Sequence, residues 1–190
     1  MKYQYFKPEP RSGEGVEMAK WQCAVCNKEH DELPMDIAYA RPQHYFEIPE
    51  AEREKRVWFN QDTNADVCVI DGDAFLIRGY LAIPVEGGKE FRHGIWVLVN
   101  EPAFRKYATF EGDGSSEPRF EARVSSEIPG YPSTFLLDAE VQLGAETQRP
   151  SVHLLPGAHP LSIEQRDGIS MARVHELVRA ALPRVFEQEN

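Results

Sequence analysis

The middle of the chain contains short apolar runs that are bounded by turn residues, a pattern that is typical of β-strands. The segment Asp66–Asp71 (DVCVID) is the first candidate strand, and a turn centred on Gly72 follows it. The second candidate strand, Ala74–Val85, contains Gly79, which predicts a bulge or a close approach of another backbone segment. The third is Phe91–Val99. Because the connections between the three strands are short, they predict an antiparallel meander.

Shorter strand candidates and candidate helices lie on either side of this meander. Three shorter segments are further strand candidates: Arg119–Val124, Ala139–Leu143 and Ser151–Leu155. Three segments with proline or serine near their start predict helices: Pro49–Arg56, Glu101–Phe110 and residues 170–187. The last has apolar residues at helical spacing: Met171, Val174, Leu177, Val178, Ala181, Leu182 and Val185. These elements predict an α+β fold, with a mainly antiparallel sheet and peripheral helices.

The predicted elements divide the 190 residues into an arm and one domain. Residues 1–20 show no period and are predicted to be a flexible N-terminal arm. Residues 21–190 are predicted to form a single α+β domain with three main parts. These are a CxxC knuckle (21–34), a sheet-rich core (66–155) and the C-terminal helix (170–187).

Composition narrows the functional classes. Hydrophobic residues make up 42% of the chain and charged residues 27%, as in ordinary soluble domains. No apolar run approaches the roughly 20 residues of a membrane helix, and the N-terminus lacks the apolar stretch of a signal peptide. We therefore expect a cytoplasmic protein without a membrane partner. The formal net charge of −10 disfavours nucleic acid as a partner, because nucleic-acid-binding faces are usually basic.

The strongest chemical pattern is the pair Cys23 and Cys26, with His30 close behind. A CxxC turn lets two thiolates reach one tetrahedral ion, and structural zinc takes four nitrogen or sulfur ligands. The chain has three cysteines in all, so Cys68 would be the third thiolate and His30 the fourth ligand. The pattern predicts a structural zinc ion held by Cys23, Cys26, His30 and Cys68.

Two other interpretations of the cysteines stay open. A redox motif would need a strand before Cys23 and a long helix after Cys26, and Pro34 limits the length of such a helix. Alternatively, Cys23 and Cys26 are free surface thiols, which the cytoplasm keeps reduced. Cys68 also fits a small buried residue on a strand.

Several segments resemble a bacterial family known as domain of unknown function 2199. They lie in consistent order between Trp21 and Leu182: Cys23-x2-Cys26-x3-His30-x2-Leu33-Pro34, Val67–Gly72, Phe75–Gly79 with Ile83-Pro84, Gly94–Val97, Gly130–Pro132, and the run from Arg149-Pro150 to Gly168-Ile169-Ser170. Asn27 departs from the pattern, because the family tends to have glycine there. The resemblance implies a bacterial cytosolic protein and no particular activity, so the zinc prediction depends on the residues alone.

A second group of residues has the polar character of a ligand site. His159, Glu164, Gln165 and Arg166 lie within one short segment, and His with Glu could perform acid–base chemistry. The alternative is structural, because Ser162 to Gln165 has the spacing of a helix capping box.

Three residues outside that segment complete the candidate ligand-binding set: Arg78, Trp96 and Tyr131. Arg78 lies within an apolar strand and needs solvent or a carboxylate, for which Asp71 and Glu164 are candidates. Trp96 is more typical of a core residue than of a stacking platform.

Three functional hypotheses follow. The first is a zinc-stabilised binding protein for an unidentified protein or small molecule, since the sequence has no nucleophile elbow, phosphate loop or zincin motif. The second is a toxin-immunity protein, whose acidic charge would steer it to a basic toxin. The third is an enzyme that uses His159, Glu164, Arg166 and Arg78, which requires these side chains to meet in one pocket.

Overall fold

The computed structural model describes residues 33–61, 65–109, 118–144 and 149–182, together with the backbone of three short strands before them. Within these ranges it contains the strands β1 (Tyr3–Gln4), β2 (Trp21–Gln22), β3 (Glu29–His30), β4 (Asp36–Tyr39), β5 (Val57–Phe59), β6 (Val67–Ile70), β7 (Ala74–Val85), β8 (Lys89–Val99), β9 (Arg119–Val124), β10 (Asp138–Gln142) and β11 (Ser151–Leu154). The helices are α1 (Gln43–Glu47), α2 (Glu50–Arg56), α3 (Glu101–Ala108), α4 (Pro160–Asp167) and α5 (Met171–Ala181).

The long hairpin of β7 and β8 is the centre of the sheet. The two strands pair antiparallel from Phe75 with Val99 down to Val85 with Lys89. The turn between them uses Gly87 and Gly88 at φ of 83° and 78°, a left-handed conformation that suits glycine. The hairpin supplies many fully buried side chains: Leu76, Ile77, Leu81, Ile83, Phe91, Ile95, Trp96 and Val97. The predicted meander is confirmed, with β8 starting two residues earlier than expected.

The hairpin and the three strands β9, β10 and β11 close into a five-stranded barrel. In the described part of the chain the sheet order is β1-β4-β8-β9-β10-β11-β7-β6-β5, and β7 also pairs with β8, so that β7 to β11 form a closed ring. The ring closes where β11 runs parallel to β7 and Tyr80 N donates to Pro150 O at 2.9 Å. The mixed α+β fold with a sheet-dominated core is therefore confirmed. The barrel and its parallel pairings, β11 with β7 and β4 with β8, were not anticipated.

Gly79 makes the closure of the barrel geometrically feasible. A Cβ atom on residue 79 would lie 2.7 Å from both Pro150 O and Val152 Cγ2. The two strands can therefore cross at this distance only without a side chain. This confirms the close backbone approach that the sequence indicated.

The helices lie at the periphery of the barrel. The predicted helices near residues 50, 101 and 171 are confirmed, and Ser170 caps α5 by accepting from Arg173 N at 3.2 Å. The capping box predicted at Ser162 is wrong, because α4 begins earlier: His159 is its N-cap and accepts from Leu161 N at 3.2 Å. Ser162 instead donates to Leu155 O at 3.0 Å. Proline at residue 160 favours this earlier start, since it fits the first turn of a helix.

Several sequence predictions fall partly outside the described residues. In the predicted arm, Tyr3–Gln4 pairs with Ala38 and Tyr39 of β4. The predicted knuckle includes β2 and β3, which pair as a separate two-stranded sheet. Residues 183–187 of the predicted last helix lie outside the described part. None of the helices within the described ranges is long and apolar enough to cross a membrane.

Candidate functional site

The predicted zinc ligands are only partly within the described structure. Cys23 and Cys26 lie outside it, and for His30 only the backbone is described, opposite Trp21. Cys68 on β6 is a fully buried free thiol, and burial raises its pKa to about 12. The described side chains include no group of three or more His, Cys, Asp or Glu residues that could hold a metal.

Arg78 is the most unusual buried residue of the barrel. Its side chain is only 1% exposed, and it lies opposite Trp96 in the β7–β8 pairing. The neighbouring Gly79 lets β11 approach so closely that Pro150, the residue after Arg149, lies against residue 79. Arg149 pairs with Asp66 at 2.7 Å, and Asp66 O accepts from the backbone N–H of Arg78 at 2.8 Å. The barrel closure therefore brings two arginines together around one aspartate.

The electrostatics show that more charges surround Arg78. Burial, together with the neighbouring charges of Arg149 and Arg41, lowers the pKa of Arg78 to about 10. Asp66 and Asp36 act in the opposite direction. We call the three arginines Arg41, Arg78 and Arg149 the arginine cluster. The carboxylates that act on Arg78 are those of Asp66 and Asp36, whereas Asp71 pairs with Arg56 and Glu164 with Arg173.

Arg41 reaches the cluster from a stack of aromatic rings. Its guanidinium lies 4.1 Å from the centre of the Phe59 ring and 5.9 Å from that of Tyr45. Phe59 in turn contacts the ring of Trp96 at 6.0 Å. Trp96 is fully buried and donates from Nε1 to Tyr39 O at 2.9 Å, so it belongs to the core, as expected.

Tyr107 of α3 lies next to the same cluster. Burial raises the pKa of its hydroxyl to about 12, and Asp66 and Arg149 are its charged neighbours. No sequence pattern marked Tyr107, Arg41, Asp66 or Arg149 as a site residue. One signal was available, since Arg41 and Arg149 each precede a proline, which restricts their backbone to extended conformations.

Tyr131 and Glu164 belong to a second polar cluster, which ties α4 and α5 to the loop before β10. The hydroxyl of Tyr131 donates to the carboxylate of Glu164, which also accepts from Arg173 Nε at 2.9 Å. Arg173 additionally donates to Gly130 O at 3.1 Å and lies over the ring of Tyr131. Burial and Glu164 together raise the pKa of Tyr131 far above its usual value. Its hydroxyl is therefore a hydrogen-bond donor rather than a nucleophile.

The remaining predicted ligand residues have separate surroundings. The ring of His159 lies 6.4 Å from that of Tyr131, near the second cluster. Gln165 joins α4 to β11, by accepting from Leu154 N and donating to Val152 O, both at 2.8 Å. Arg166 is exposed and pairs with Asp167 at 2.7 Å. The structure thus groups Tyr131, His159 and Glu164 in one place and Arg78 with Trp96 in another.

Comparisons with known proteins identify the family. Neither a curated protein nor a solved structure matches the chain. One family model, described as an uncharacterized protein conserved in bacteria (DUF2199), matches residues 22–169, which is more than half of the chain. This range contains the CxxC motif, the barrel and the arginine cluster, and the chain belongs to the DUF2199 family.

Proposed function

We propose that the protein is a zinc-stabilised binding protein whose N-terminal hairpin is held by a structural zinc ion. The observation that carries the proposal is the backbone pairing of Trp21 with His30 and of Gln22 with Glu29. Cys23 and Cys26 both belong to the connection between these paired residues. The pairing therefore supports a compact hairpin that includes both thiols and ends at His30.

The size of this hairpin explains why it needs a metal. It has two paired residues on each strand and forms a sheet of its own. An isolated two-stranded hairpin is marginally stable in water, and small units without a core commonly depend on a metal or a disulfide. A zinc ion held by Cys23, Cys26 and His30 would supply this stabilisation, since metal binding contributes directly to folding.

Cys68 is the fourth ligand in this proposal and the one with the highest cost of ionisation. Burial raises its pKa to about 12, so that the metal-free thiol is protonated at neutral pH. Zinc lowers thiol pKa values strongly and binds the thiolate, which offsets that cost.

A binding role is supported by the hydrogen bonds that Glu164 of α4 makes. Glu164, the best candidate for acid–base chemistry, accepts from both Tyr131 and Arg173 and serves as a tie between loop and helices. The acid–base candidates of the sequence thus stabilise the fold. A closed barrel with a metal-supported hairpin would be a suitable scaffold for recognising a partner.

Native mass spectrometry of the freshly purified full chain tests the proposal. We expect one zinc ion per chain in the wild type and none in Cys26→Ala, with a chelator lowering the melting temperature of the wild type only. Cys68→Ala tests the fourth ligand separately, and retention of zinc in this variant would remove Cys68 from the site. A wild-type chain without metal, or a Cys26→Ala chain that keeps its zinc, would contradict the proposal.

A further inference from the structure

We propose that two copies of the chain form a symmetric dimer through the outer surface of the barrel. The contact is centred on four residues that stand side by side on β8, β9, β10 and the end of β11. We call them the outer row, and its members are Leu98, Arg123, Asp138 and Leu155. The dimer does not depend on the zinc ion, so the two proposals can fail separately.

The strand pairing places the outer row on one face of the sheet. Arg123 lies opposite Leu98 on β8 and opposite Asp138 on β10. Leu155 continues the same register, since its backbone N–H donates to Asp138 O at 3.0 Å. Residues that lie opposite each other on neighbouring strands share one face of the sheet. Arg123, Asp138 and Leu155 are all exposed, so this face is the outside of the barrel.

The order of the side chains along the row points to a second copy as the partner. From β8 to β11 the row is apolar, positive, negative and apolar. A two-fold axis parallel to the strands reverses this order in the second copy. It sets Arg123 against the partner's Asp138, and Leu98 against the partner's Leu155. The row is therefore complementary to itself, which is what a closed two-fold interface requires.

The charged pair at the centre of the row can take part in such a contact. Arg123 Nε lies 3.3 Å from Asp138 Oδ1, and the two side chains remain 61% and 67% exposed. A guanidinium has several N–H donors, and a carboxylate can accept about four hydrogen bonds. Each group can therefore bind its counterpart in the second copy while it keeps its own partner.

The two ends of the row differ in a way that suits the same arrangement. Leu155 is 51% exposed, whereas Leu98 is half-buried. A hollow of about 450 Å³ lies along the row and is lined by all four of its members, with Asn100 and Glu121 beside them. In the two-fold arrangement each exposed Leu155 enters the partner's hollow and meets Leu98.

A leucine in an unfavourable conformation adds apolar surface beside the row. Leu136 has a φ of 63°, in the left-handed region that leucine rarely adopts, and it is 42% exposed. Its backbone N–H donates to Val124 O at 2.8 Å, so it lies next to the residue that follows Arg123. Backbone strain of this kind is characteristic of functional sites, and exposed apolar patches are characteristic of interaction surfaces.

The size of the surface and the charge of the chain indicate a weak dimer. The row spans three strand spacings, about 14 Å, which is small beside a standard protein interface. Two chains that each carry a net charge of −10 also repel each other. Association should therefore become visible only at high protein concentration.

Sedimentation equilibrium of the full chain at concentrations up to about 1 mM tests the dimer. We expect the measured mass of the wild type to rise from one chain towards two as the concentration increases. Arg123→Asp and Asp138→Arg should each lower the dimerisation constant by more than about tenfold, because like charges then face each other across the axis.

Arg166→Asp is the matched control for these charge reversals. Arg166 also pairs with an exposed aspartate, Asp167, at 2.7 Å. This pair lies on α4, next to the point where Gly168 packs against Pro84 near the other end of the barrel hairpin. We expect Arg166→Asp to dimerise as the wild type does.

Mixing the two charge-reversed variants gives the sharpest test. In the mixture, the two aspartates of the Arg123→Asp chain face the two arginines of the Asp138→Arg chain. A mixed dimer should therefore form although each variant alone stays a single chain, and this recovery shows that both variants are folded. The chain with both substitutions should dimerise like the wild type for the same reason. The proposal is overturned if the wild type remains a single chain at about 1 mM, if the mixture does not dimerise, or if Arg123→Asp has no more effect than Arg166→Asp.

Discussion

Replacing Gly79 by alanine should open the barrel, because this glycine permits the contact that closes it. The new Cβ would lie 2.7 Å from Pro150 O, a backbone atom that cannot rotate away, and 2.7 Å from Val152 Cγ2. Overpacking of this kind costs about 1–3 kcal/mol. Displacing β11 would also weaken the hydrogen bond from Tyr80 N to Pro150 O, worth about 1 kcal/mol.

The expected loss of unfolding free energy is therefore about 2–4 kcal/mol, the sum of the overpacking and hydrogen-bond terms. Urea denaturation followed by tryptophan fluorescence measures it, since Trp96 is fully buried next to this region. For a chain of this size each kcal/mol lowers the melting temperature by about 2–4 °C, so calorimetry should show a drop of several degrees.

Gly157→Ala is the matched control for this prediction. The nearest atom to a Cβ at residue 157 is Leu155 O at 3.8 Å, an ordinary van der Waals distance. The same chemical change there should alter stability by less than about 0.5 kcal/mol. If Gly79→Ala destabilises the protein no more than Gly157→Ala does, the tight crossing of β7 and β11 is refuted.

Three further predictions concern single polar groups. Burial lowers the pKa of His93 from 6.5 to about 3, so the unfolded chain binds the proton first as the pH falls. Its contribution to stability is fully present above pH 6.5 and is lost as the pH falls towards 3. The unfolding free energy of the wild type should therefore change with pH between 6.5 and 3, and His93→Asn should remove up to about 1.4 kcal/mol of that change per pH unit. Urea titrations at several pH values in this range measure it. Tyr131→Phe should cost about 1–2 kcal/mol by calorimetry, because Glu164 loses a charged hydrogen bond. Asn100→Ala should cost about 1 kcal/mol in the same assay, because its side chain caps α3 by accepting from Ala103 N at 2.8 Å, and Asn100→Asp should preserve stability.

Each of these predictions has a specific contradicting outcome. If the unfolding free energy of His93→Asn depends on pH as strongly as that of the wild type, the buried imidazole of His93 is not the source of the dependence. Wild-type stability in Tyr131→Phe would show that the Glu164 cluster does not tie the helices to the loop. Equal losses in Asn100→Ala and Asn100→Asp would show that the oxygen acceptor is not what stabilises α3.

The elements that the sequence predicts correctly are those determined by interactions between residues close together in the chain. The apolar run of Ala74–Val85 and the glycines of the following turn determine the central hairpin. Ser170 and the helical spacing of the apolar residues after it determine α5. The capping box was wrong because Ser162 and Gln165 have the spacing of that motif, whereas Pro160 starts the helix two residues before Ser162.

What the sequence could not provide depends on contacts between distant segments. The parallel pairing of β11 with β7 joins Ser151 to Tyr80, and no local pattern encodes such a partner. For the same reason the neighbours of Arg78 were not foreseen, since Arg149 reaches it only through the closed barrel. Gly79 marked the crossing as a close approach without indicating which strand would come near.

The most direct test of the zinc-stabilised hairpin is X-ray absorption at the zinc edge of freshly purified full-length protein. We expect one zinc ion per chain with a tetrahedral shell of sulfur at about 2.3 Å and nitrogen at about 2.0 Å. Three sulfurs and one nitrogen would match Cys23, Cys26, Cys68 and His30. A protein without zinc, or a zinc ion whose shell contains no sulfur, would contradict it.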